Sequence, residues 1–352
     1  MKQKSTIFLL VILIAISNLA LRSKTVTPLF TPKQKLSEYN FFIGKISDLK
    51  PADGIIPYDL NTPLFSNYAE KLRFIKLPAG IKTTYTENGS LDFPKGTVMI
   101  KNFYYPNDFR NPGKGRRIME TRLLVNEENG WVAYPYVWND EQTDAAYDVA
   151  GEIKDVNYIN ENGKQVNIHY IIPNKNQCKG CHYRGDKMIL LGPTAAQLNS
   201  DYNYSSGKQN QLQYLQQHNL ISGLPSIDKI NKLPGWNDQS QTTESRARAY
   251  LDVNCGSCHH PQGPANTSGL FLNFSQTNSI ELGIMKSPVA AGRGAGKNLF
   301  DIVPGKPHKS ILAYRMQVND PGVAMPELGR EQIHKEGVEL VKKWIKEMKQ
   351  ED

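Results

Sequence analysis

Four cysteines in 352 residues leave little thiol chemistry to distribute, and none lies near the N-terminus, which excludes a lipid-anchored cysteine there. Charge of one sign is also in short supply. The formal net charge is +8, and it falls to +6 without residues 1–21, because Lys2 and Lys4 go and no acid goes with them. A surplus this small, carried by scattered Lys and Arg, indicates no nucleic-acid partner. Long apolar runs are missing apart from Ile7 to Ile16, which Lys2 and Lys4 precede. At ~7–15 apolar residues, a run of this kind suits the h-region of an export signal better than a ~20-residue membrane span.

Residues 1–21 therefore read as a signal peptide. The best small-x-small triplet is Ala15-Ile-Ser17, a weak cleavage site, so the alternative is an uncleaved N-terminal anchor tethering the protein to the membrane through residues 7–21. Export places the mature chain in the periplasm or on the extracytoplasmic membrane face. In such an oxidising compartment four free thiols do not persist, so the cysteines are expected as disulfides, metal ligands or covalently modified groups.

With 39% hydrophobic and 22% charged residues the chain reads as globular, with enough apolar material for about two domains of ~100–200 residues. The expected class is α+β and multidomain: an antiparallel β-rich N-terminal domain, then a mainly α-helical C-terminal part. A tether over residues 22–39 leads into the β-rich domain at 40–172. There Asn88-Gly89, Asn129-Gly130 and Asn162-Gly163 lie among aromatic and β-branched runs, the strongest short-range hairpin signal. Strands are expected over 96–104, 121–125, 131–138 and 166–172.

From Pro173 the character changes. Residues 173–235 carry helix-compatible stretches at 192–199 and 209–218 and end in a Pro- and Gly-marked link, and 236–352 form a last unit. That unit opens with a helix over 243–252 and closes with one over 330–348, on which Ile333, Val338, Val341, Trp344, Ile345 and Met348 make one apolar stripe. Gly337 falls within the stripe. A mid-helix glycine costs about 1 kcal/mol relative to alanine, so a packing reason is expected, namely the close approach of another helix.

All four cysteines lie in one repeated pattern, Cys178-Lys-Gly-Cys181-His182 and Cys255-Gly-Ser-Cys258-His259. Cys-x-x-Cys-His is the attachment signature of c-type haem. Two cysteines three apart on one turn reach the porphyrin vinyl groups as thioethers, and the adjacent histidine becomes the fifth iron ligand. Two covalently attached haem c groups follow, one on Cys178, Cys181 and His182, the other on Cys255, Cys258 and His259, the spacing selecting His259 over His260. Two short-loop disulfides or a four-cysteine zinc site are the alternatives, and neither accounts for a histidine after each pair.

A sixth ligand for the second iron is expected from Met325, in the glycine- and proline-marked run Gly322-Val-Ala-Met325-Pro-Glu-Leu-Gly329. A thioether suits haem iron, and Met/His ligation raises the reduction potential. Met316 is the rival, with core packing the simpler role for it. No such loop follows Cys178. Met188 is only six residues from His182, a short path for chain that must round the porphyrin edge, so Met99, Met119, His169 and His218 remain as distal candidates there, and a vacant or water-filled sixth position is the alternative.

Two weaker patterns complete the reading. Residues 291–298 imitate a phosphate loop without its first glycine or final Ser/Thr, so a mobile or haem-edge loop is expected. Glu120 and Arg122, two apart in a strand, share a face and are expected to pair.

The order helix, Cys-x-x-Cys-His, long loop, Met-Pro, terminal helix over about residues 240–350 resembles class I cytochrome c. As a whole the chain resembles a family of exported dihaem c-type cytochromes, through the stretches 62–71, 120–124, 136–139, 173–178, 246–251 and 325–329. The resemblance implies two covalent haems, an extracytoplasmic location and electron transfer, with His182, His259 and Met325 as iron ligands. It implies no substrate. The expected function is electron transfer between the two haems and a redox partner, whether a protein or a small-molecule donor or acceptor. A dihaem peroxidase or oxidase with an open first haem is the enzymatic alternative, and a zinc or disulfide binding module the non-redox one.

Overall fold

A computed structural model of the protein describes residues 30–327 and 329–349, so the expected export signal and anchor at 1–21 lie outside the described residues. The N-terminal half is built on an antiparallel sheet. Its strands are β1 (Ile55–Tyr58), β2 (Glu70–Lys76), β4 (Val98–Pro106), β5 (Arg116–Glu127), β6 (Gly130–Trp138) and β7 (Ala145–Tyr147), neighbours in that order, while a two-residue β3 (Thr83–Thr84) pairs elsewhere. Asn129-Gly130 turns β5 into β6, and Asn162-Gly163 turns β8 (Glu152–Ile159) into β9 (Gln165–Ile172). Gly130 and Gly163 sit at φ 110° and 77°, which glycine adopts without strain. Asn88-Gly89 belongs instead to an irregular loop between Thr84 and its bridge partner Asp92.

The β8–β9 hairpin alternates buried and exposed residues and lays Val156, Tyr158, Ile168 and Tyr170 against Phe103, Tyr105, Met119 and Val137. The opposite face of the sheet is covered by chain expected as tether. Leu36 is 1% exposed, Phe42 packs edge-on to Phe74, and the Tyr136 hydroxyl donates to the Lys33 carbonyl at 2.9 Å. The tether therefore stops short of residue 33, because Leu36 and Phe41 are apolar surface that the sheet can bury.

Six helices follow the hairpins: α1 (Lys175–His182), α2 (Ala195–Leu198), α3 (Gln211–Gln217), α4 (Thr243–Asn254), α5 (Ile311–Met316) and α6 (Lys335–Glu347). α4 and α6 cross in a core of Leu251, Ile302, Val341, Trp344 and Ile345. Gly337 is the crossing point: a Cβ there would lie 2.4 Å from Cζ of Tyr250. The terminal helix begins at Lys335 rather than Arg330, because the Asn67 side chain takes the Glu331 and Gln332 backbone N–H groups at 2.6 and 3.0 Å and holds them outside a helix.

Residues 32–352 form one compact unit, which runs across the positions 172/173 and 235/236. A strap over residues 62–68 closes the seams. Buried Thr62 donates to the Pro234 carbonyl at 2.7 Å and accepts from Trp236 N–H at 3.0 Å, while Phe65 N–H donates to the Asn254 side chain at 2.9 Å. The Phe65 ring stacks on His334 at 4.2 Å. No helix among the described residues is long and apolar enough to cross a membrane.

Candidate functional site

The first motif occupies α1. Pro173 disfavours helix before it, and Asn174 and Gln177 form a reciprocal capping box, each side-chain oxygen accepting from the other's backbone N–H at 2.9 Å. Cys178 and Cys181 are thereby on one helical face and His182 ends the helix. A short hairpin, β10 (Tyr183–Arg184) and β11 (Lys187–Met188), folds back so that Ile189 returns to His182. Ile189 N–H donates to the His182 carbonyl at 2.8 Å, and His182 Nδ1 lies 2.8 Å from the Ile189 carbonyl.

The second motif follows α4, which Thr242 caps by accepting from Ser245 N–H at 3.1 Å. The chain turns over Gly263, where a Cβ would lie 2.3 Å from the Cys258 carbonyl oxygen, so no larger residue fits the return. His259 repeats the arrangement of His182. Its Nδ1 lies 3.2 Å from the Leu270 carbonyl, and Leu272 N–H donates to its own carbonyl at 3.0 Å.

A carbonyl only accepts, so in both rings Nδ1 carries the proton and Nε2 is left with its lone pair. Burial keeps both rings neutral, pushing His182 down to about 4 and lowering His259 as well. A neutral imidazole with its Nδ1–H fixed on a carbonyl is a metal donor held in orientation and tautomer. His260 differs, its Nδ1 accepting from Gln262 N–H at 3.1 Å.

The two motifs meet. The Cys258 thiol donates to the Gly180 carbonyl at 3.8 Å, beside Cys181, whose nearness lowers Cys258 while Cys181 itself is raised, and Arg184 of β10 donates to the Ser257 carbonyl at 2.5 Å. Among the described residues no three of His, Cys, Asp and Glu converge as a metal-holding group.

A small crevice lies beside Cys255, lined by Met316, Met325, Pro326, Arg330 and His334 among others. Both methionines considered from sequence reach it. The Met325 loop is held by two arginines that sequence reasoning passed over: Arg315 Nε donates to the Val323 carbonyl at 2.8 Å, and Arg330 donates to the carbonyls of Met325 and Val318. Arg330 Nε is buried without a hydrogen-bond partner. His334 was also missed; burial pushes it down to about 4, and its Nδ1 lies 3.1 Å from the Tyr250 hydroxyl. Nothing in its local sequence marks it, because its burial depends on the strap residue Phe65.

Around the first motif, Cys178 packs on a cluster that contains Met99 and Met188. The other distal candidates lie elsewhere: Met119 under the β8–β9 hairpin, His169 exposed beside Asp155, His218 stacked on Tyr214. Glu120 and Arg122 pair as expected at 2.6 Å, and the Tyr170 hydroxyl donates to Glu120 at 2.7 Å. Residues 291–298 pack on α5, since a Cβ at Gly296 would lie 2.4 Å from the Tyr314 ring.

Comparison of the chain with known protein families, with characterised proteins and with solved structures returns no match. The functional reading therefore rests on the motifs and their geometry.

Proposed function

We propose that the protein is an exported dihaem c-type cytochrome that passes electrons between two covalent haems and a redox partner, either a protein or a small donor or acceptor. The observation that carries the reading is the identical treatment of His182 and His259: each follows a Cys-x-x-Cys, is neutral, and has Nδ1–H tied to a backbone carbonyl with Nε2 left to bind iron. A disulfide module, or a zinc site filled by the four cysteines, has no use for that second feature. Haem c, once bound, supplies one-electron chemistry.

The chain's own residues do the rest. Cys178, Cys181, Cys255 and Cys258 would hold the groups as thioethers. Met325, on a loop fixed by Arg315 and Arg330, is the sixth ligand offered at the second site. Contact between Cys181 and Cys258 supports direct passage between the two centres. On this reading α4, the Met325 loop and α6 form the cytochrome c-like part of the chain, at residues 236–352.

A dihaem peroxidase or oxidase is the second reading. It is favoured by the core packing of Met99 and Met188, 4% and 9% exposed among Ile75, Leu124 and Leu190, which leaves neither offered to His182 as Met325 is offered beside Cys255.

Export of the full chain with haem-attachment machinery, followed by haem quantification and spectra of the oxidised and reduced protein, tests the proposal. Two haems per chain, both low-spin, are expected. One high-spin haem moves the first site to the enzymatic reading, and a colourless protein overturns both.

A further inference from the structure

The sheet face under the first motif is crossed by three rows of side chains. Ile75, Met99, Leu124 and Ala133 make one row, directly opposite one another on β2, β4, β5 and β6, and all four belong to the apolar cluster on which Cys178 packs. Two residues along, the next row is Arg73, Lys101 and Arg122. The third row brings Lys71, Phe103 and Glu120 together. Like charges directly opposite on adjacent strands repel, yet this face sets three cations abreast and a fourth beside them.

Their charges are not balanced within the chain. Asp59 pairs with Arg73 Nη1 at 2.5 Å and Glu120 with Arg122 at 2.6 Å. Glu70, beside Lys71, projects to the other face by strand alternation. The Arg73 side chain is 3% exposed, and its Nε and Nη2 are buried without any hydrogen-bond partner. Lys71 and Lys101 have no hydrogen bond or ion pair among the described residues, and Lys101 Nζ merely rests 4.8 Å from the centre of the Phe103 ring. Buried cations persist when paired and hydrogen-bonded. Two surplus cations beside an idle guanidinium edge match two carboxylates, which that planar fork binds well.

We propose that Lys71, Arg73 and Lys101 form a buried carboxylate-binding site on this face, and that the two propionates of the haem on Cys178 and Cys181 fill it. The inference rests on the proposed function, which puts a dicarboxylic porphyrin at that motif. Position supports it: Lys101 and Arg122 are within electrostatic reach of His182, and Arg122 also of Cys178 and Cys181.

The test is redox-difference infrared spectroscopy of the full haem-loaded protein, its propionate carboxylates labelled with carbon-13. Wild type is expected to carry two haems and show labelled carboxylate bands. Those bands should shift in Lys101→Met and in Arg73→Gln at unchanged haem content, and return towards wild type in Lys101→Arg. Lys101→Met keeps the test open if Arg73→Gln fails to fold, because Lys101 makes no hydrogen bond to lose. Bands that stay fixed in both variants while two haems are retained overturn the site. A saturable change of the wild-type spectrum on adding succinate assigns the site to a free carboxylate and overturns the propionate assignment. A wild-type chain without haem on Cys178 and Cys181 overturns the functional reading itself, and haem counting shows this before any variant is made.

Discussion

At the scale of single residues, the two methionines at the second site make opposite predictions. Met325 is held through its backbone by the Arg315 carbonyl and the Arg330 side chain and its own side chain stays out of the α4–α6 cluster, whereas Met316 is 5% exposed within that core. Met325→Ala is therefore expected to keep two haems and lower the potential of the second, since Met/His ligation raises it; Met316→Ala should leave the potential and lower stability by about 2–5 kcal/mol. Redox titration beside thermal unfolding separates the two, and exchanged outcomes would make Met316 the ligand. The fully buried Thr62 hydroxyl carries a different weight. Thr62→Val leaves the Pro234 carbonyl and the Trp236 N–H without their partner, at a cost of about 1–3 kcal/mol in denaturant unfolding. An unchanged midpoint would remove the strap from the account of the fold.

At the scale of elements, Gly337 shows how far a sequence pattern reaches. A glycine inside the apolar stripe of α6 was legible as a close helix contact, and the Tyr250 ring occupies the space a side chain would need. Gly337→Ala sets a helix-propensity gain of about 1 kcal/mol against an overpacking cost of about 1–3 kcal/mol. With a Cβ 2.4 Å from that ring the cost wins, so the melting temperature should fall. Adding Tyr250→Leu should recover part of the loss, and a stabilised single variant would contradict the packing. The hairpins at Asn129-Gly130 and Asn162-Gly163 and the Glu120–Arg122 pair were legible for a similar reason: turn chemistry and strand alternation are local. The cationic row Arg73, Lys101, Arg122 was not, because its members come from three strands and only the register sets them side by side.

At the scale of the whole molecule, the motifs were readable while the way they are joined was not. Cys-x-x-Cys-His announces its chemistry in five residues. The strap at 62–68 has neither periodicity nor composition to mark it, since its hydrogen bonds go to Pro234, Trp236 and Asn254, far along the chain. Residues 33–39 likewise read as tether by composition, although Leu36 helps close one face of the sheet. Because residues 32–352 are one compact unit, urea unfolding should be a single transition in which tyrosine fluorescence and haem absorbance change together. Two separated transitions would restore the boundary near residue 235.

The contact between Cys181 and Cys258 also sets an order of events in the making of the protein. Neighbouring thiols in an oxidising compartment form a disulfide readily, and that bond would consume one attachment sulfur of each motif. On the proposed function, haem attachment would therefore precede the folding that brings the two motifs together. A chain exported without attachment machinery should become locked shut, with Cys181 crosslinked to Cys258. Peptide mapping under non-reducing conditions would reveal that crosslink, and four free thiols would show that the folded chain waits for its haem.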